Sequence, residues 1–274
     1  MVSSGFEAAV DAIVNGDAEA LKRLLSEQPE LIRTRSQRKH AATLLHYVAA
    51  NGVENERQKT PPNIAEITEI LLRAGADIEA TADVYGGGCT TLGLAATSIH
   101  PQRAGVMEPL LSALLKHGAR IDPLLVDACL ANGRGEAAEF LATRGAPVNF
   151  SAAAGLGHIE AVKSSFQSAN WEEREQGFLY ACQFGRNDVV EFLLEAGVGI
   201  GVRDNNGQTG LHWAAIGRHL DTVKLLLAHN PPLDAQNAYG GTVLGQAMWS
   251  ADHGGNSESY SAIIETLVAA GIQC

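Results

Sequence analysis

The chain repeats itself. TGLHWAAIGRHLDTVKLLLAHN begins at Thr209, and TVLGQAMW begins 33 residues later at Thr242. Counting 33 residues back from Thr209 reaches Gln176, the start of QGFLYACQFGRNDVVEFLLEAG. TLLHYVAANG at Thr43 and TTLGLAAT at Thr90 open in the same way. A unit this short cannot bury its own apolar face, so neighbouring units must stack and share one core. The local chemistry is that of a helix pair. Thr209 can cap a helix N-terminus through its hydroxyl. Leu211, Ala214 and Ala215 keep one face small and apolar, which lets the next unit approach closely. Val223, Leu225, Leu226 and Leu227 give a second helix its apolar stripe. Gly75, Gly118, Gly145 and Gly197 stand where second helices stop, because glycine accepts the left-handed conformation that a helix C-cap needs.

These segments resemble the ankyrin repeat, whose period is about 33 residues and whose signature is T-P-L-H-x-A followed by a second helix and a glycine. The resemblance covers nearly the whole chain. It implies an all-α fold, a solenoid of about eight helix-pair units with short β-hairpin fingers. The units begin near Phe6, Thr43, Thr90, Leu124, Val148, Gln176, Thr209 and Thr242, and residues 1–274 are expected to form a single domain. The first unit lacks the TPLH motif, as an N-terminal cap would. HYVAANGVENERQKTP and DVYGGGCTTLGLAAT resemble an insertion-bearing subset of bacterial ankyrin-repeat proteins.

The spacing departs from the family pattern in two ways. From second-helix stop to next start, the regular interval is 12 residues, as from Gly197 to Thr209 and from Asn230 to Thr242. It is 15 from Gln28 to Thr43 and from Gly75 to Thr90, then only 6, 3 and 7 at the junctions ending at Leu124, Val148 and Gln176. A two-stranded finger does not fit in three residues, so fingers are expected at both ends and a notch in the middle. The loops between paired helices are also enlarged, as VENERQKTPPNIAE, SIHPQRAGVMEP and SADHGGNSESYS. Their prolines and glycines predict ordered loops, not longer helices.

Composition narrows the function. Hydrophobic residues are 46% of the chain, too many for disorder. The formal net charge of −11 argues against nucleic acid or an anionic membrane surface as partner. No apolar run of membrane-spanning length is present, and the N-terminus lacks the basic and apolar regions of a signal peptide. The four cysteines, Cys89, Cys129, Cys182 and Cys274, form no C-x-x-C motif, so free thiols in a reducing, cytoplasmic setting are expected. No metal site and no cofactor are expected, since neither H-E-x-x-H nor paired cysteines occur. A basic run, Arg33, Arg35, Arg38 and Lys39, reads either as a solvated loop or as a contact for an anion or acidic peptide.

Candidate binding residues follow from the repeat register. Tyr85 and Tyr239 fall at matching fingertips, in VYGGGCT and AYGGT, where exposed tyrosines serve as anchors or pack on the adjacent finger. The family register puts Gln183 and Trp249 at the variable position facing the concave surface, and Asn205, Asn206 and Gln208 at the variable places of one finger. Trp213 lies in a first helix. His46 and His212 occupy the motif histidine, a hydrogen-bonding tie between repeats in the family. Gly93, Gly245 and Asp127 replace it elsewhere. The leading function is a non-enzymatic scaffold binding a protein or peptide through the concave face and fingers, as a monomer. The alternative is a small-molecule site or unusual enzyme in the notch, using His46, His100, Asp127 and His212. The apolar finish AIIETLVAAGIQC is expected to be covered by the last insertion, with Trp249 and Tyr260 closing over it.

Overall fold

A computed structural model describes residues 2–253 and 258–272. Contacts divide the chain into two compact units, residues 1–147 and residues 148–274.

The first unit begins with α1 (Val2–Asn15) and α2 (Ala18–Glu27). Asp17 caps α2 by accepting the Ala20 N–H at 2.9 Å. A 3₁₀ turn at Pro29–Arg33 leads to a short bridge between Arg35 and Thr43. Another 3₁₀ turn, Leu44–Ala49, stands where a first helix is expected, and all six of its residues are buried. Then come α3 (Ile64–Arg73), the strands β1 (Thr81–Ala82) and β2 (Cys89–Thr90), and α4 (Thr91–Thr97). The remaining helices are α5 (Ile99–Arg103), α6 (Met107–Lys116), α7 (Leu125–Ala131) and α8 (Gly135–Ala142). β1 and β2 pair antiparallel, Thr81 with Thr90 and Ala82 with Cys89. The Tyr47 ring is fully buried and meets Phe6 edge-on, with centroids 6.2 Å apart.

The second unit comprises α9 (Phe150–Leu156), α10 (Ile159–Ser165), α11 (Trp171–Gln183) and α12 (Asn187–Glu195), then α13 (Gly210–Ile216), α14 (Leu220–Ala228), α15 (Val243–His253) and α16 (Glu258–Ala269). One apolar core runs through it, including Phe150, Phe178, Val190, Leu211, Leu226 and Ile263. Leu211, Ala214 and Ala215 are buried in this core. A Cβ on Gly210 would come within 2.8 Å of the Cys182 Sγ and 2.9 Å of the Phe178 ring, so only glycine permits this approach of α13 to α11.

Bridges occur at four places, 35–43, 81–90, 203–209 and 236–242. Among the described residues none lies between Gly118 and Gln176, where the intervals are too short for two strands. The last of these intervals is shorter still, because α11 starts at Trp171, five residues before Gln176. Asn170 and Glu173 form a reciprocal capping box there.

Two inserted loops depart from expectation. SIHPQRAGVMEP contains a helical turn, α5, started by the Ser98 hydroxyl accepting the His100 N–H. Its proline sits in the first turn, where the missing N–H has no helical partner to lose. In the eighth repeat the helix simply continues through Ser250–His253, since nothing in SADH breaks it before Gly254. The first insertion does stay a loop, with a 3₁₀ turn at Asn55–Arg57. It is clamped to α1 by charge. Arg57 reaches Glu7 at 2.5 Å and Asp11 at 3.2 Å, while Arg38 contacts both Glu7 and Glu54. The basic run is therefore partly an internal tie. Arg35 likewise donates to the Ala41 and Thr81 carbonyls.

Candidate binding clefts around Tyr85

The turn between β1 and β2 places Tyr85. Gly86, Gly87 and Gly88 all take positive φ, and Tyr85 itself sits at φ 50°, a left-handed conformation that costs a non-glycine residue about 1 kcal/mol. The tip is pinned at its base. Val84 is buried, and a Cβ on Gly52 would lie 3.0 Å from it. The Tyr85 hydroxyl donates to the Asn51 Oδ1 at 2.7 Å, and the Asn51 amide donates to the Leu94 carbonyl and the Thr97 hydroxyl. The ring is thus held by its far end while 75% of the residue stays exposed.

Two clefts lie beside it, sharing Tyr85 and Thr97. One, about 510 Å³, is mostly apolar and lined by Cys89, Leu94, Ile121, Pro123, Leu124 and Leu125. Leu124 is 67% exposed on its rim. Arg120 donates to Glu79 from its backbone and its Nε, which lowers the Glu79 carboxyl below its ordinary value, while Asp122, also in the lining, accepts the Leu124 backbone N–H. The other cleft, about 410 Å³, is polar and lined by Asn51, Gln58, Ser98, His100, Asn132 and Arg134. Among the described residues no carboxylate lines it. Burial lowers the pKa of His100, and the neighbouring Arg103 and Arg134 lower it further.

Residues 178–274 match the family model of ankyrin repeats, in three copies. An ankyrin repeat protein of Acanthamoeba polyphaga mimivirus is 33% identical over 70 residues, which is 25% of this chain and 17% of that relative's own length. Residues 178–274 are thus ankyrin repeats, and the likeness to the viral relative supports the same family.

Ankyrin repeats are generally protein–protein interaction scaffolds, and the family is generally non-enzymatic. Two motif histidines show the structural role. His46 and His212 are fully buried, and each Nδ1 accepts the N–H of the threonine that starts its repeat, at 3.1 and 3.2 Å. The His212 Nε2 donates to the Gly241 carbonyl of the next hairpin at 3.3 Å. Burial pulls His46 down to about 4, opposed by the carbonyls of Cys89 and Ala80. Burial also lowers His212, again opposed by its carbonyl partner.

The other candidates are dispersed. Tyr239 is 85% exposed, and only its backbone N–H is tied, to the Asn237 side chain. Trp249 is 58% exposed and stacks on His253 at 4.5 Å, so it does not close over α16. Tyr260 lies on α16 itself, where it is buried and its hydroxyl donates to the Ile216 carbonyl of α13. The Gly254–Ser257 part of the last insertion, and Cys274, lie outside the described residues. The Trp213 indole N–H donates to Asp204 at 3.2 Å. Asp204 also accepts the backbone N–H groups of Asn206 and Gln208, leaving the Asn205 and Asn206 side chains exposed. Gln183 is half-buried, and its carbonyl accepts from His219. His100 lines the polar cleft, whereas His46 is enclosed beneath the hairpin and Asp127 is half-buried on α7.

Sequence reasoning missed Asn51, Thr97, Leu124 and Arg134. A signal existed for the polar cleft: no acid occurs between Asp83 and Glu108, while His100 and Arg103 do. Among the described residues no group of three His, Cys, Asp or Glu side chains could hold a metal, and no helix is long and apolar enough to cross a membrane.

Proposed function

We propose that this chain is a monomeric ankyrin-repeat scaffold that binds a protein or peptide segment, and that its principal contact is the pair of clefts flanking Tyr85. The observation that carries this is the adjacency of an apolar and a polar cleft across one exposed, hydrogen-bonded tyrosine. An aromatic ring fixed at its tip offers contact area at little cost in conformational freedom. The exposed Leu124 extends that surface. The apolar cleft falls within the size range of small-molecule sites, but its rim carries exposed apolar side chains that a buried metabolite would leave wet.

The test is selection of peptides from a displayed random library against the full chain, followed by affinity measurement on Tyr85→Ala and Leu124→Ala variants. The expected result is selected peptides that bind both variants at least tenfold more weakly. Peptides that bind the variants as well as the parent would overturn the site. Light scattering in the same buffer checks the monomer.

A further inference from the structure

The polar cleft holds a cation, Arg134, without counter-charge among the described residues. Arg134 is half-buried, and every partner it has among the described residues is an uncharged oxygen: the Thr97 carbonyl at 3.4 Å from Nε, and the Gln102 Oε1 and Gly133 carbonyl, each 3.2 Å from Nη1. Its Nη2 makes no hydrogen bond among the described residues.

The Nε contact is structural. At the matching place in later repeats, Arg186 donates to the Gly155 carbonyl and His219 to the Gln183 carbonyl. Any donor serves that tie. The rest of the Arg134 guanidinium is left over, and it faces a cleft that also contains His100, with Arg103 close enough to disfavour the charge on both.

Elsewhere in this unit the chain compensates the other half-buried arginine: Arg57 meets Glu7 and Asp11. A chain with a formal charge of −11 has carboxylates to spare, and none is placed here. A half-buried guanidinium without an anion forgoes the strongest hydrogen bonds it can make, the paired bonds to a carboxylate.

We propose that the polar cleft receives a carboxylate from the bound segment, an aspartate or glutamate side chain lying within a few residues of the apolar side chain that fills the neighbouring cleft. The segment crosses Tyr85, with Arg134 and the His100 ring donating to the carboxylate. Charge complementarity selects an acidic partner segment, and the shared wall of the two clefts sets the closeness of its two anchors. This rests on the scaffold reading above.

The experiment uses the full chain and peptides from the displayed library whose binding depends on Tyr85. Each acidic residue of these peptides is changed to its amide, and binding is measured by fluorescence anisotropy to the parent, Arg134→Gln and Arg103→Gln. The expected result is that one amide change weakens binding to the parent about tenfold and leaves binding to Arg134→Gln unchanged. Arg103→Gln covers the chance that loss of the Thr97 tie unfolds Arg134→Gln, since Arg103 is exposed; there the amide change should weaken binding less than in the parent. A free C-terminal carboxylate as the ligand would show as loss on amidating the peptide terminus, and would overturn the side-chain assignment. Peptides that depend on Tyr85 but tolerate every amide change overturn the carboxylate while the scaffold reading stands. Selected peptides that ignore Tyr85 altogether overturn both.

Discussion

The hairpin at 81–90 and the one at 236–242 share a tyrosine–glycine tip, and each stands over a buried motif histidine of the preceding repeat. Their tyrosines have different fates. In the first, three glycines with positive φ carry the chain round, Val84 plugs against Gly52, and the Tyr85 hydroxyl reaches Asn51. In the second, a single bridge closes the loop, the Asn237 side chain accepts the backbone N–H groups of Tyr239 and Gly241, and the Tyr239 ring projects outward. The shared motif thus builds a hairpin tip in both places, but the ring is held only where the preceding repeat offers it a partner. Asn51 stands at the start of the enlarged loop in the repeat that precedes the first hairpin.

The largest test concerns the histidines beneath the two hairpins. An unfolded histidine titrates near 6.5, and burial lowers His46 to about 4 in the folded chain. The unfolded state therefore takes up the proton first. The stability contributed by the neutral ring is whole above pH 6.5 and is lost as the pH falls toward 4, about 3 kcal/mol in all. His212 and His219 are lowered by burial too and act in the same direction. Urea unfolding at pH 7, 5.5 and 4 should show this slope. It should be shallower in His46→Gln, and an unchanged slope would mean that His46 is not the titrating group.

A smaller effect separates the anchors of the hairpins. Gly52→Ala combines a left-handed backbone with a contact on Val84 and should cost about 2 kcal/mol, whereas Gly240→Ala has open space and should cost about 1 kcal/mol from strain alone. Equal losses in thermal unfolding would remove the distinction.

Smaller again is the hydroxyl. Tyr85→Phe should lose about 1 kcal/mol with the bond to Asn51, and Tyr239→Phe close to nothing. If the two changes cost the same, the tip of the first hairpin is not held by Asn51.

The smallest expected effect is on the thiols. Burial pushes Cys129 up to about 12 and raises Cys182 further, so both stay protonated, while Cys89 is only partly buried. Alkylation of the native chain, read by mass spectrometry over residues 2–253, should modify Cys89 first. Chelator and reductant together should leave the melting temperature unchanged.

The helix stops and the missing hairpins were legible because each depends on chain length or on one residue's local conformation. Thr209 caps its helix, Gly75 and Gly197 take positive φ, and no bridge among the described residues falls between Gly118 and Gln176. The start near Gln176 was displaced because the capping box at Asn170 is itself local but lies outside the repeat motif. The tyrosines were visible as candidates, but their difference was not, since it lies 34 residues from Tyr85, at Asn51.

The sequence by itself determined the helix pairs, the small residues that let them approach, and the stretch without hairpins, because these follow from short-range sterics and from how many residues a two-stranded turn requires. The tertiary structure decided what the charges do. Arg38 and Arg57 are neutralised by acids from α1 and the first inserted loop, Arg120 by Glu79, and Arg134 by no carboxylate among the described residues. Long flexible side chains reach partners 31 to 50 residues away, and which partner lies within reach is set by the stacking of repeats.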